Sequence, residues 1–135
     1  MTIAEFINKN IGKKVDYDGY YGAQCVDLFR QYCQDVWGIP RTEPVNGAVE
    51  LYTKYEKTVV EKKYLEQFKA KSKAQCGDAV VWGKTASNIY GHVAIVVCPR
   101  KSDVIVFEQD GFKQNGTKLS IRTYENLAGF LRKKE

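Results

Sequence analysis

Histidine occurs once in this sequence, methionine once and proline three times. Any histidine chemistry must therefore run through His92. No apolar stretch reaches the roughly 18 residues that a helix needs to cross a bilayer. The four cysteines, Cys25, Cys33, Cys76 and Cys98, contain no C-x-x-C pair. That argues against a zinc ribbon or a redox dithiol motif. There is no internal repeat, low-complexity tract or linker, so residues 1–135 are expected to form one domain. The opening "MTIAEFINKN" carries Glu5 and lacks the long apolar core of a secretory signal. The expectation is synthesis in a cytoplasm without a signal peptide, where free thiols are favoured over disulfides.

What is present is an ordinary globular composition, 44% hydrophobic and 27% charged, with a net charge of +5. Basic balance favours polyanionic partners, nucleic acid or an anionic cell envelope, over acidic ones. The plainer reading is a solvated face of mixed Lys and Glu. No recognition motif accompanies the charge, so nucleic-acid binding is not expected. Nine Tyr, six Phe and two Trp suit a mixed core or a groove for a polymer.

Thr2 followed by Glu5 is a capping box, and Ile3, Phe6 and Ile7 share one helical face. This predicts a short helix ending near Gly12. Val26, Phe29, Cys33, Val36 and Trp37 recur at helical spacing, and Gly38 and Pro40 end a second helix from about Gln24 to Trp37. A third helix is expected from Asn46 to Tyr55, with Leu51, Tyr52 and Tyr55 inward. Residues 56–75 read as a charged connection with broken helix. Four segments, "DAVVW", "GHVAIVV", "DVIVFEQ" and "KLSIRTY", then read as β-strands bounded by turn residues. Helices first and an antiparallel sheet second give an α+β fold with N-terminal helices packed on a C-terminal sheet.

Cys25 stands where the second helix starts. A thiol there feels the positive end of the helix dipole, and a basic neighbour brings its pKa from about 8.5 into the range of roughly 3.5–7.5. The competing reading is a small buried residue on the Cys25/Phe29/Cys33 face. His92 opens the apolar strand, as structure or as a general base; a base requires a third group to fix its tautomer. With a hairpin centred near Lys101, the next strand's polar end lies beside His92. Glu108 and Asp110 share one face there by the period of two. Cysteine at a helix start, then histidine on a strand, then a carboxylate on the neighbouring strand is the order of papain-like sites.

"GAQCVDLFRQY", "CGDAVVW", "YGHVAIVV" and "VFEQD" together resemble the CHAP domain, the cysteine, histidine-dependent amidohydrolase/peptidase of phage lysins and bacterial wall hydrolases. The resemblance implies a papain-like fold and hydrolysis of a peptidoglycan amide. It implies Cys25 as nucleophile, His92 as base and Glu108 as the residue that orients the imidazole, with Gln24 helping to shape the oxyanion site. Where the family commonly has Asn, two residues after the Glu, this chain has Asp110. Asp78 reads as structural. The implied partner is peptidoglycan at the bacterial wall, reached after release from the cell. A separate wall-binding chain or the net charge is expected to supply targeting. Two alternatives carry the same features differently. One is an NlpC/P60-like peptidase, which usually has Asp directly before the cysteine where this chain has Gln24. The other is a non-catalytic, calcium-stabilised wall-binding module.

The stretch "VDYDGYYGAQCVD" also spaces acidic residues as a metal loop would. Counting Asp16 as position 1 of an EF-hand-like loop puts Asp18 at 3, Tyr20 at 5, Gly22 at 7 and Asp27 at 12. Tyr20 and Gly22 could offer only carbonyls, and Tyr21 stands where an EF-hand requires Gly. The chain is therefore not an EF-hand; it carries either a calcium loop of similar spacing or an Asx-turn with solvated carboxylates. Some phage CHAP lysins bind calcium at the corresponding loop, and the resemblance implies Ca2+ here.

Overall fold

The computed structural model describes residues 1–135. Helix α1, Ile3–Asn10, begins at the predicted capping box: Thr2 Oγ1 accepts the Glu5 N–H at 3.1 Å, and Glu5 Oε1 accepts the Thr2 N–H at 2.9 Å. Its Phe6 is fully buried, edge-on to Tyr32 at 5.3 Å and to Phe107 at 6.1 Å. Helix α2, Cys25–Asp35, buries Leu28, Phe29, Tyr32 and Cys33 against the sheet. This is the face its 3.6-residue apolar period specifies.

Six strands follow: β1 Leu65–Phe68, β2 Ala79–Trp82, β3 His92–Pro99, β4 Asp103–Gln109, β5 Thr117–Thr123 and β6 Leu127–Lys133. They form one antiparallel sheet in the order β1-β6-β2-β3-β4-β5. The β3–β4 hairpin pairs Ile95 with Phe107 and Val96 with Val106, and the register shifts between Val96 and Cys98. Alternation sends Val93, Ile95 and Phe107 toward the helices. Val80, Ala94, Val96, Val104, Val106 and Phe130 form a second cluster on the other face. The architecture is the expected α+β arrangement. No helix is long and apolar enough to cross a membrane.

Three expectations need correction. The third helix is only one turn, α3 Glu50–Thr53. The segment ahead of it docks on the loop before β3, where the Val49 N–H donates to Tyr90 O at 3.0 Å. Its backbone donors are spent on that contact and on tight i to i−3 turns, so helix does not propagate through Asn46–Ala48. Residues 56–75 hold more than broken helix: α4, Val60–Tyr64, runs into strand β1. Beyond the four expected strands, Leu127–Lys133 also forms β6, which β1 pairs from Leu65↔Lys133 to Phe68↔Phe130. Strand β6 pairs with β2 along its other edge, so β1 closes the sheet against a strand some sixty residues further along the chain.

Asp78 is held as a structural residue. It is buried, and its carboxylate accepts from Arg132 Nε at 2.7 Å, Arg132 Nη2 at 2.8 Å and the Gln75 N–H at 2.8 Å. That bidentate pair ties β2 to β6 at the end remote from His92.

Candidate active site

Cys25 is the first residue of α2 and is partly exposed. Gln24 caps the helix in extended conformation: its carbonyl accepts the Asp27 N–H at 3.0 Å, and its N–H donates to Asp27 Oδ2 at 2.9 Å. The N–H groups of Cys25 and Val26 lie in the first turn, where no intrahelical acceptor exists. The Gln24 side chain is exposed and lies beside the same cavity as Cys25.

His92 is fixed by what precedes and flanks it. Gly91 has φ +76°, and a Cβ there would stand 2.5 Å from Trp82 O and 2.9 Å from Val49 Cβ. Only glycine lets the chain enter β3 so close to β2. The imidazole stacks on the Trp82 indole, 5.6 Å between centroids and 29° between planes. Its Nε2 meets Glu108 Oε1 at 2.9 Å, which leaves Nδ1 as the nitrogen open to a thiol. Arg122 Nε binds the same Glu108 oxygen from β5, with its guanidinium over the Trp82 ring.

The electrostatics follow from that packing. Burial alone would lower the His92 pKa, but the Cys25 side chain and the Glu108 carboxylate outweigh it and raise the imidazole from 6.5 to about 9. Burial would raise Glu108, yet hydrogen bonds from His92 and Arg122 lower it from 4.5 to about 2. An ionised carboxylate therefore faces an imidazole that favours its charged form. Cys25, His92 and Gly91 line one cavity of about 420 Å³, rimmed by the exposed rings of Tyr21, Tyr90 and Phe112. A second, more polar cavity of about 780 Å³ opens on the other side of His92, between Trp82, Arg122 and Asn126. Such a site can take up an extended substrate along the two cavities that meet at His92.

In the acidic loop, Asp16, Asp18 and Asp27 each offer a carboxylate oxygen, all within 4.8 Å of one another. Desolvation pushes Asp27 up from 3.8 to about 6, with the charges of Asp18 and Asp16 adding to the rise. One cation approaches: Arg30 Nη1, 3.5 Å from Asp18 Oδ2. The donor set is hard, acidic and all oxygen, which suits Ca2+. Tyr20 and Gly22 lie in the same loop, the Tyr20 ring exposed and Gly22 against the Gln114 side chain.

Asp110 sits at the end of β4, and its Oδ1 accepts the N–H groups of Phe112 at 2.8 Å and Lys113 at 3.4 Å. It caps the turn that follows the strand. Sequence reasoning missed three polar residues around the site. Gln109, fully buried, bonds Val15 and Gln24; Gln114 bonds Ala23; Arg122 bonds Glu108. Gln109 shares the parity of Ile105 and Phe107, so a polar residue on the helix-facing side of an apolar strand was a visible signal. Arg122 gave none, because the β4–β5 register sets Lys118, not Arg122, opposite Glu108.

Residues 15–110 match the CHAP domain family. The endolysin PlyTW of Staphylococcus phage Twort is 31% identical over 144 aligned positions, which span 94% of this chain and 28% of that protein. Among solved structures, the endolysin LysIME-EF1 superposes with a TM-score of 0.75 at 22% identity, covering 95% of this chain and 61% of that one. Ly7917, solved with what is described as the hydrolyzing product of MDP, gives 0.67 at 17% identity, covering 98% and 63%. The chain thus spans under two thirds of the length of these relatives, and the two superpositions bear on the fold. With the family match running from the acidic loop through the β4 carboxylates, the chain belongs to the CHAP domain family.

Proposed function

We propose that this chain hydrolyses an amide bond of bacterial peptidoglycan by thiol acyl transfer, as the catalytic domain of a phage-lysin-like enzyme. The observation that carries the reading is the convergence of Cys25, at a helix start, with His92 in one cavity, the imidazole being held by buried Glu108. Cys25 Sγ, as thiolate paired with imidazolium, adds to the scissile carbonyl. The first-turn N–H groups of α2, with Gln24 closing the cap, hold the oxyanion. His92 Nδ1 then delivers its proton to the leaving amine, and water, deprotonated by the same nitrogen, releases the acyl group. Glu108 keeps the ring in place and stabilises its charge throughout. Membership of the family and an endolysin among the relatives support the choice of wall peptidoglycan as substrate.

Asp16, Asp18 and Asp27 are read as holding a structural Ca2+, with the Tyr20 and Gly22 carbonyls completing the shell. A divalent ion held there would offset most of the charge of the three carboxylates. The protein's own part is to link Asp27, two residues past Cys25, to the loop in front of it. The enzyme acts at the bacterial wall after release, attached through a separate wall-binding chain or its net charge of +5. The test is digestion of purified walls from several bacteria, with new amines identified by mass spectrometry. A folded protein that releases no amine from any wall overturns the reading.

A further inference from the structure

Glu108 and Gln109 are neighbours on β4 and point to opposite faces of the sheet. Glu108 holds His92. Gln109, fully buried, reaches the loop in front of Cys25. Its Oε1 accepts the Val15 N–H at 2.7 Å, and its Nε2 donates to Val15 O at 2.7 Å and Gln24 O at 2.8 Å. Gln114 repeats the arrangement one residue earlier in the loop: its Oε1 accepts the Ala23 N–H at 3.0 Å, and its Nε2 donates to Ala23 O at 2.9 Å and Gly111 O at 2.7 Å. The remaining hydrogen bonds of residues 15–24 stay within the loop or go to α2. They are Tyr17 to Gln34, Gly19 to Asp16, Tyr20 to Asp18, Gln24 to Asp27, Arg30 to Asp18, and the Asp27 and Leu28 N–H groups to Gln24 O. Two side-chain amides, Gln109 at the end of β4 and Gln114 in the turn that follows it, are therefore the whole hydrogen-bonded connection between this loop and the segment that carries the imidazole's partner.

We infer that Gln109 is a positioning residue for the reaction, with Gln114 as its auxiliary. The dipeptide Glu108–Gln109 sets the distance between thiol and imidazole by gripping His92 on one face of β4 and the Cys25 cap on the other. The inference rests on the roles given above to Cys25 and His92. An amide is required because the Val15 N–H needs an acceptor while the Val15 and Gln24 carbonyls need donors. A carboxylate would turn its charge on two carbonyl oxygens, and an aliphatic side chain would leave all three groups unpaired. Displacing the nucleophile by about 1 Å is enough to cost on the order of a hundredfold in rate.

The test uses the full chain with Gln109→Met, close in length and without donors, and with Gln114→Asn, which tolerates the positive φ there but falls short of Ala23. Alkylation of Cys25 by iodoacetamide is followed by mass spectrometry at a series of pH values on both sides of neutrality. Exposed Cys76 serves as internal reference, and wall lysis and thermal melting are measured in parallel. Folded Gln109→Met is expected to alkylate at Cys25 about tenfold or more slowly than the unmodified chain at neutral pH, with lysis reduced alongside. Gln114→Asn should move the same way by less. Purely structural glutamines would lower the melting temperature and leave the Cys25 rate and its pH profile unchanged, which overturns the inference. Should Gln109→Met fail to fold, Gln114→Asn decides by the same criterion. If Cys25 reacts no faster than Cys76 in the unmodified chain, the nucleophile assignment fails and the clamp with it. If it reacts faster there and equally fast in both variants, the clamp alone fails.

Discussion

His92 Nε2 lies 2.9 Å from Glu108 Oε1, and the two side chains are only 12% and 3% exposed. Imidazolium and carboxylate thus face each other largely out of water, where their attraction is weakly screened. The pairing contributes to both shifts, the rise of His92 to about 9, which the Cys25 side chain shares, and the fall of Glu108 to about 2, which Arg122 shares.

The sign of the pH dependence follows. A histidine raised above its ordinary 6.5 stabilises the fold fully below that value, and the contribution is lost as pH rises through about 9. A glutamate lowered from 4.5 stabilises above 4.5 and loses its contribution as pH falls toward about 2. Because the chain has one histidine, its imidazole proton resonance is unambiguous. Its titration is expected near pH 9, dropping by more than about one unit in Glu108→Gln as the partner charge disappears. An unchanged titration in that variant would show that the Cys25 side chain alone holds the imidazolium.

Cys25→Ala and His92→Ala are each expected to abolish wall lysis while circular dichroism stays native, because nucleophile and base act as one unit. Cys33→Ala should behave oppositely. Cys33 is fully buried in the face of α2 that meets the sheet, and burial pushes its thiol pKa well up, so it contributes packing. Its removal is expected to cost about 1 kcal/mol of stability and leave lysis intact. Lysis that survives in folded Cys25→Ala rules out the thiol mechanism.

Asp110 gives a sharper discrimination. Both Asp and Asn can accept the Phe112 N–H through Oδ1, so Asp110→Asn is expected to preserve lysis and melting temperature. Asp110→Ala removes the cap of the turn that leads to Gln114 and should lower both, by about 1 kcal/mol in stability. Loss of lysis in Asp110→Asn would mean that its negative charge takes part in the chemistry.

These residues also show what the sequence could and could not convey. The hairpin count that set Glu108 and Asp110 near His92 works because a centre at Lys101 matches the inner register, Ile95↔Phe107 and Val96↔Val106, although the register shifts between Val96 and Cys98 on the way to the turn. Local signals gave α1, α2 and four strands, since capping, period and turn chemistry are short-range. Strand β1 escaped because only Leu65 and Phe68 of its four residues are apolar, and β6, although it opens with an apolar run, because its neighbours β1 and β2 lie far back along the chain. Arg122 escaped for a related reason, as it reaches Glu108 diagonally and not across a paired position. The three aspartates were legible by spacing, while the rise of Asp27 to about 6 depends on burial that only packing supplies.

The acidic loop makes the last prediction. Asp16, Asp18 and Asp27 converge within 4.8 Å, and Asp27 is 4% exposed. Each ionised carboxylate repels the other two, and Arg30 offsets only part of this, at 3.5 Å from Asp18. A divalent cation removes the repulsion by direct oxygen coordination. Binding to the folded state alone raises stability by RT ln(1 + [L]/Kd), about 2.7 kcal/mol at a hundredfold excess over Kd. Calcium is therefore expected to raise the melting temperature, and EDTA to lower both melting temperature and lysis. Asp18→Ala or Asp27→Ala should make the protein indifferent to either. Magnesium should substitute poorly, because it demands a tight octahedral shell and keeps its waters. Calorimetric titration of the chelator-treated protein measures this directly. If millimolar calcium produces no binding heat and no shift in melting, the three aspartates act as turn and capping groups only, with Asp16 and Asp18 closing the turns to Gly19 and Tyr20.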